Sequence, residues 1–248
     1  MKTLVIARRE LAGYFFSPVA YVIGAVFLLG CGVVMFWGLE LLDVPVFQPV
    51  LQSGSPATLG PLLECMALLM VIAAPLLTMR LVSDEFRSGT IEILMTAPVT
   101  DATVILGKFL GVMGFYLAML ASTLMFVLLI LPFGTPDVGV ALAGYLGMIL
   151  LGAAFLAVGL FCSTLTSYQI VSAIVGIVIL AAVGMLAQFV ATATGPPWNL
   201  LAARLNAMTY FRTFARGSLD VRAGVYFLSI TAVFLFLSVK TLERRRWR

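Results

Sequence analysis

The sequence has no histidine, three cysteines and few charges, and each scarcity removes a class of chemistry. Without histidine there is no imidazole base for acid–base catalysis. Cys31, Cys65 and Cys162 lie far apart with no CxxC spacing, so a zinc site has no ligand set, and each reads as a small apolar helix residue. Charged residues make up 10% of the 248 positions against 62% hydrophobic, with mean hydropathy +1.13. Such a chain cannot cover itself with a polar shell, so it reads as an integral membrane protein. Helices and short loops account for its length, and a single membrane domain over residues 1–248 is expected. The net charge of +4 gathers at the ends and in loops, as expected for contact with membrane lipid and not for binding nucleic acid.

What is present is a series of long apolar runs. Residues 1–17 carry Lys2, Arg8, Arg9 and Glu10 among apolar residues that fall largely on one side of a helix, which predicts an interfacial segment. A signal peptide is excluded by length, because residues 11–39 are uncharged and a signal's apolar core is only ~7–15 residues. Spans are expected at about 19–39, 62–79, 103–131, 139–161, 169–192 and 223–239. Residues 40–61 hold several prolines and no Lys or Arg, and read as an irregular loop. The second span carries Glu64 in its first turn, read as a wetted carboxylate, and Pro75 inside it. The third reads as an unbroken helix to Leu131, longer than the bilayer core, whose first turns up to Lys108 protrude into the cytoplasm. Gly107, Gly111 and Gly114 on it mark close helix packing. Residues 138–203 contain no charge, enough for two spans broken near Ser163–Gln169.

The polar island Arg80–Lys108 stands between the second and third spans. Ser83 or Asp84 opens one helical turn, Gly89 breaks it, Thr90 caps a second short helix to Thr96, and Pro98 ends that helix. Arg80–Asp84 and Asp84–Arg87 have the spacing of ordinary surface ion pairs. Farther on, Arg204, Arg212 and Arg216 recur at multiples of four with Phe211 and Phe214 between them, which predicts short helices with a basic stripe and an apolar side.

Counting Lys and Arg on alternate sides of six spans gives eleven against four, which puts both termini and the polar island in the cytoplasm and the arginine-bearing segment outside. No span carries a charge near its middle, which disfavours an ion-coupled carrier. A phosphate loop around Gly107-Lys108 fails, because Ala102 and Phe109 stand where Gly and Ser or Thr are required. The chain therefore has no nucleotide site of its own, and any power comes from a partner.

Ser83-Asp84-Glu85-Phe86-Arg87-Ser88-Gly89-Thr90-Ile91-Glu92, followed by Leu94, Ala97-Pro98-Val99 and Gly107-Lys108-Phe109, resembles the coupling region of ABC-2 type permeases. The Ser163-Thr164-Leu165-Thr166 turn, and Phe211 and Phe214 with Arg216-Gly217 ahead of Tyr226-Phe227, resemble the branch that includes gliding-motility and copper-enzyme-maturation permeases. The resemblance implies an all-α polytopic protein of six transmembrane helices, with an N-terminal interfacial helix, a cytoplasmic coupling helix and extracellular short helices between spans five and six. It further implies the transmembrane permease subunit of an exporter in the bacterial inner membrane, not itself an enzyme. ABC ATPase subunits holding ATP and Mg would dock on Glu85, Phe86, Arg87, Gly89, Thr90, Ile91, Glu92 and Leu94, and a second permease copy or a paralogue would complete the assembly. Arg204, Tyr210, Phe211, Phe214 and Arg216 would form an extracellular gate or partner segment, and Tyr210 stands where close relatives are expected to carry His. The alternatives are a subunit that passes ATPase motion to an envelope protein without moving a solute, and a non-transporting scaffold.

Overall fold

A computed structural model describes residues 2–36, 39–41, 44–47, 59–89, 100–130, 138–186, 190, 204 and 206–246. The described chain is a helical bundle. Its elements are α1 (Lys2–Phe15), α2 (Pro18–Phe36), β1 (Leu39–Leu41), β2 (Val44–Phe47), α3 (Gly60–Thr78), α4 (Ser83–Ser88), α5 (Asp101–Ser122), α6 (Leu124–Ile130), α7 (Val138–Leu165), α8 (Gln169–Ala181), α9 (Ala207–Ala215) and α10 (Val221–Arg246). Five stretches are long and apolar enough to cross a membrane among the described residues: Pro18–Phe36, Gly60–Ser88, Asp101–Ile130, Val138–Leu165 and Val221–Arg244. The apolar helix Gln169–Gly184 is shorter. It continues into a π-helical turn, Ala182–Leu186.

The centre of the bundle is α7, which packs against α3, α5, α8, α9 and α10. Its glycines explain why so many helices can approach it. A Cβ at Gly144 would lie 2.4 Å from Leu63, one at Gly147 would lie 2.6 Å from Phe214, one at Gly152 would lie 2.2 Å from the Tyr116 ring, and one at Gly159 would lie 2.1 Å from the Thr78 hydroxyl. Each glycine therefore opens a place for a neighbour's side chain. Tyr116, fully buried, also donates its hydroxyl to the Met148 carbonyl at 2.7 Å, which satisfies its polar end inside the apolar core.

Two local features depart from the sequence expectations. The loop after α2 is not wholly irregular, because β1 and β2 pair antiparallel with Leu41 opposite Val44. Pro45 is compatible with this ribbon because a two-stranded pair leaves each strand an open edge where no amide donor is needed. The third apolar helix is also not continuous, since Thr123 interrupts it between α5 and α6. There the Thr123 hydroxyl donates to the Leu120 carbonyl at 2.6 Å, and the Thr123 amide reaches the same carbonyl at 3.1 Å. A threonine that back-bonds within its own turn competes with the i→i−4 ladder and tightens it locally.

Candidate functional site

The island between α3 and α5 begins as the residue pattern predicts. α4 runs from Ser83 to Ser88 and ends at Gly89, whose φ of 72° is left-handed backbone that suits a glycine cap. Its start, however, is capped from across the bundle. The hydroxyl of Ser163, at the end of α7, accepts the Val82 and Ser83 amides at 3.1 Å each and donates to the Met79 carbonyl at 3.0 Å. One buried hydroxyl thus serves the unpaired groups of two helix ends, the donors opening α4 and an acceptor closing α3. Asp84 receives the Gln169 side-chain amide at 2.7 Å, which fastens α4 to the start of α8.

Lys108 is the larger surprise. Instead of projecting into water, its side chain is 3% exposed, and its ammonium donates to Glu85 Oε1 of α4 at 2.7 Å and to Glu10 Oε1 of α1 at 3.0 Å. One point charge on α5 therefore joins three helices. The glycines beside it let α1 come close enough for this. A Cβ at Gly107 would lie 2.8 Å from Ile6, one at Gly111 would lie 2.6 Å from Glu10, and one at Gly114 would lie 3.2 Å from Leu11, so α1 runs parallel to α5 along this seam. Farther along, Tyr14 stacks on Phe115 with centroids 5.3 Å apart. Its hydroxyl donates to the Leu77 carbonyl at 2.6 Å, and the Arg80 guanidinium lies 5.5 Å from its ring centre. Burial pushes the Tyr14 phenol far above its ordinary pKa, so it remains a donor.

Of the sequence-predicted docking residues, Glu85 is thus committed to Lys108, Phe86 packs partly against the core, and Arg87 and Gly89 are exposed. Thr90, Ile91, Glu92 and Leu94, with the second short helix, lie outside the described residues. The surface pairs Arg80–Asp84 and Asp84–Arg87 are not formed: Arg80 lies over Tyr14, and Asp84 bonds Gln169. Sequence reasoning missed Lys108, Ser163 and Gln169 as partners of α4, and Glu10 as the second partner of Lys108. A signal existed for Glu10, which falls on the same helical stripe as Ile6, Ala7 and Tyr14, where a carboxylate needs a cation.

At the other end of α3, α9 is opened by Asn206, whose side chain accepts the Met208 amide at 3.0 Å. Phe211 and Phe214 are buried against the bundle, and Tyr210 stacks on Tyr226 with centroids 4.4 Å apart. Arg204 and Arg216 are exposed. Arg212 lies 3.5 Å from Glu64, both side chains partly exposed, so the carboxylate read as simply wetted has a cationic neighbour.

The site is therefore a short polar helix fixed to several helices of a membrane bundle, with one face left to solvent. The family model for the ABC-2 family transporter protein matches residues 5–242, almost the whole chain. The chain belongs to the ABC-2 family. An ABC-2 family transporter protein of this kind is a multi-pass membrane protein and the membrane component of an ABC transporter. No curated protein matches the sequence. In this ABC-2 chain the family match covers both ends of the bundle, the α4 junction and the α9 segment alike.

Proposed function

We propose that this ABC-2 chain is the permease subunit of an ATP-powered exporter, driven by a separate ATPase that docks on residues 80–100. In this reading the apolar helix beginning at Gln169 provides a sixth crossing, both termini and α4 face the cytoplasm of a bacterial inner membrane, and α9 faces outward. A second permease, a copy or a paralogue, completes the pathway, and ATP and Mg belong to the partner. The motif spellings resemble the gliding-motility and copper-enzyme-maturation branch.

The observation that carries this reading is the construction of α4. Its base is held by Ser163, Gln169 and Lys108, while Arg87 and Gly89 at its far end face solvent. A displacement imposed on such a helix is delivered to the bundle because its attachments are short and directional. Glu85 then serves docking through its position, and Phe86, Arg87, Thr90, Ile91, Glu92 and Leu94 supply the contact surface. The outer aromatic cluster of Tyr210, Phe211 and Phe214, flanked by Arg204 and Arg216, is the segment expected to move in response.

The test is reversal of one charge on the docking surface. Glu92→Lys should leave membrane insertion intact while sharply reducing co-purification of the ATPase. Retention of the ATPase at wild-type stoichiometry would remove the docking assignment.

A further inference from the structure

The docking reading gives α4 two routes into the bundle by chain connection, backward into α3 through residues 79–82 and forward into α5. The structure contains a third route that the chain order conceals. The Lys108 ammonium bonds a carboxylate on α4 and a carboxylate on α1 at once, at 2.7 and 3.0 Å, with the cation almost fully withdrawn from solvent. An ammonium has three donors, and two of them here are spent on different helices. Such a bond resists separation more than a surface pair does, because little water reaches the ammonium to replace either carboxylate.

The α1 helix is also held along the rest of its length. The glycine seam of α5 receives it at Ile6, Glu10 and Leu11, and the Tyr14 hydroxyl ties its end to the Leu77 carbonyl. Only Phe16 and Ser17 separate α1 from α2. Both are bonded back to α1, the Phe16 amide to the Ala12 carbonyl and the Ser17 amide to the Tyr14 carbonyl, each at 3.1 Å. The link therefore has little slack, and a movement of α1 reaches α2 directly.

We infer that α1 is a third lever of this permease, and that Lys108 is the positioning residue that binds it to the docked helix. Motor movement at α4 is then distributed to α2, α3 and α5 together. Lys108 touches no substrate in this scheme; it sets whether α1 follows α4. The inference rests on the docking reading, and the experiment separates the two.

The full complex with its cognate ATPase, in lipid nanodiscs, is trapped with ATP and vanadate, and amide exchange is followed in peptides covering residues 2–15 and 83–88. In the wild type, trapping should change exchange several-fold in both segments. Glu10→Ala should preserve the response at 83–88 and sharply reduce it at 2–15. Glu10→Gln, which keeps an acceptor of the same reach, should restore part of it. A purely local structural role for Glu10 would alter the resting exchange of α1 without separating the two responses. If 83–88 responds in the wild type while 2–15 does not, or if Glu10→Ala leaves the α1 response intact, the inference is overturned. If neither segment responds in the wild type, the docking reading falls and the third lever falls with it. The wild-type comparison alone decides whether α1 follows α4, so poor folding of the alanine variant does not spare the idea.

Discussion

The helices around the two ends of α3 are tied together by different means. Near Thr78 the ties are polar and enclosed: a buried ammonium shared by two carboxylates, a serine that serves three backbone groups, and a tyrosine hydroxyl on a carbonyl. Near Glu64 they are mostly apolar, with Phe214 against Gly147, Tyr210 on Tyr226, and a single ion pair that remains partly in solvent. Hydrogen bonds and buried ion pairs have narrow geometric optima and are costly to leave unmade, whereas apolar contacts tolerate sliding so long as area stays covered. The first end is therefore built to hold a fixed arrangement. The second can change partners at small cost, which fits the movement proposed for the α9 segment.

That contrast can be broken at its strongest point by Lys108→Met. Removing the cation strands two carboxylates that keep about a quarter of their exposure. The expected loss is about 3 kcal/mol, the low end for breaking a buried pair because each carboxylate keeps some water. Since Cys31, Cys65 and Cys162 are buried, a thiol-reactive dye reports the unfolding curve directly. A loss below ~1 kcal/mol, the range of exposed pairs, would mean that the triad is no stiffer than the outer end. Ser163→Ala comes next, with an expected loss of about 2 kcal/mol from leaving the buried Val82 and Ser83 amides unpaired. It should also raise exchange of those two amides ahead of the rest of α4. Arg212→Gln should be the mildest, under about 1 kcal/mol in the same unfolding assay, because its pair with Glu64 is exposed to water and salt. A larger loss there would erase the distinction between the ends.

The sequence made the helices legible and hid their pairings. Hydropathy alone marks the apolar runs of α2, α3, α5, α7 and α10, because a membrane helix needs length and apolarity and little else. The Gly89 stop is legible too, since left-handed backbone selects glycine. The glycine seam at 107, 111 and 114 announces close packing but carries no address, and nothing local to it names α1 as the occupant. Lys108 was hidden for the same reason. Its partners stand 98 and 23 positions away, and a lysine at the edge of a span looks like a solvated cation until those helices are placed beside it. The β1–β2 ribbon was obscured by its proline, Pro45, although Leu39-Glu40-Leu41 and Val44-Pro45-Val46 alternate around a two-residue link. The break at Thr123 had a signal in the Ser122-Thr123 pair, which apolar periodicity outweighs.

The central claim is that this permease is driven from the cytoplasmic face through α4. Ser88 is exposed at the end of that helix, and the native cysteines are buried, so Ser88→Cys offers one reactive thiol to a membrane-impermeant maleimide. The account predicts labelling in inverted membrane vesicles and none in right-side-out vesicles, with protection in the inverted ones when the ATPase is bound. Labelling from the outer side, or from the inner side with no protection by the ATPase, would contradict it.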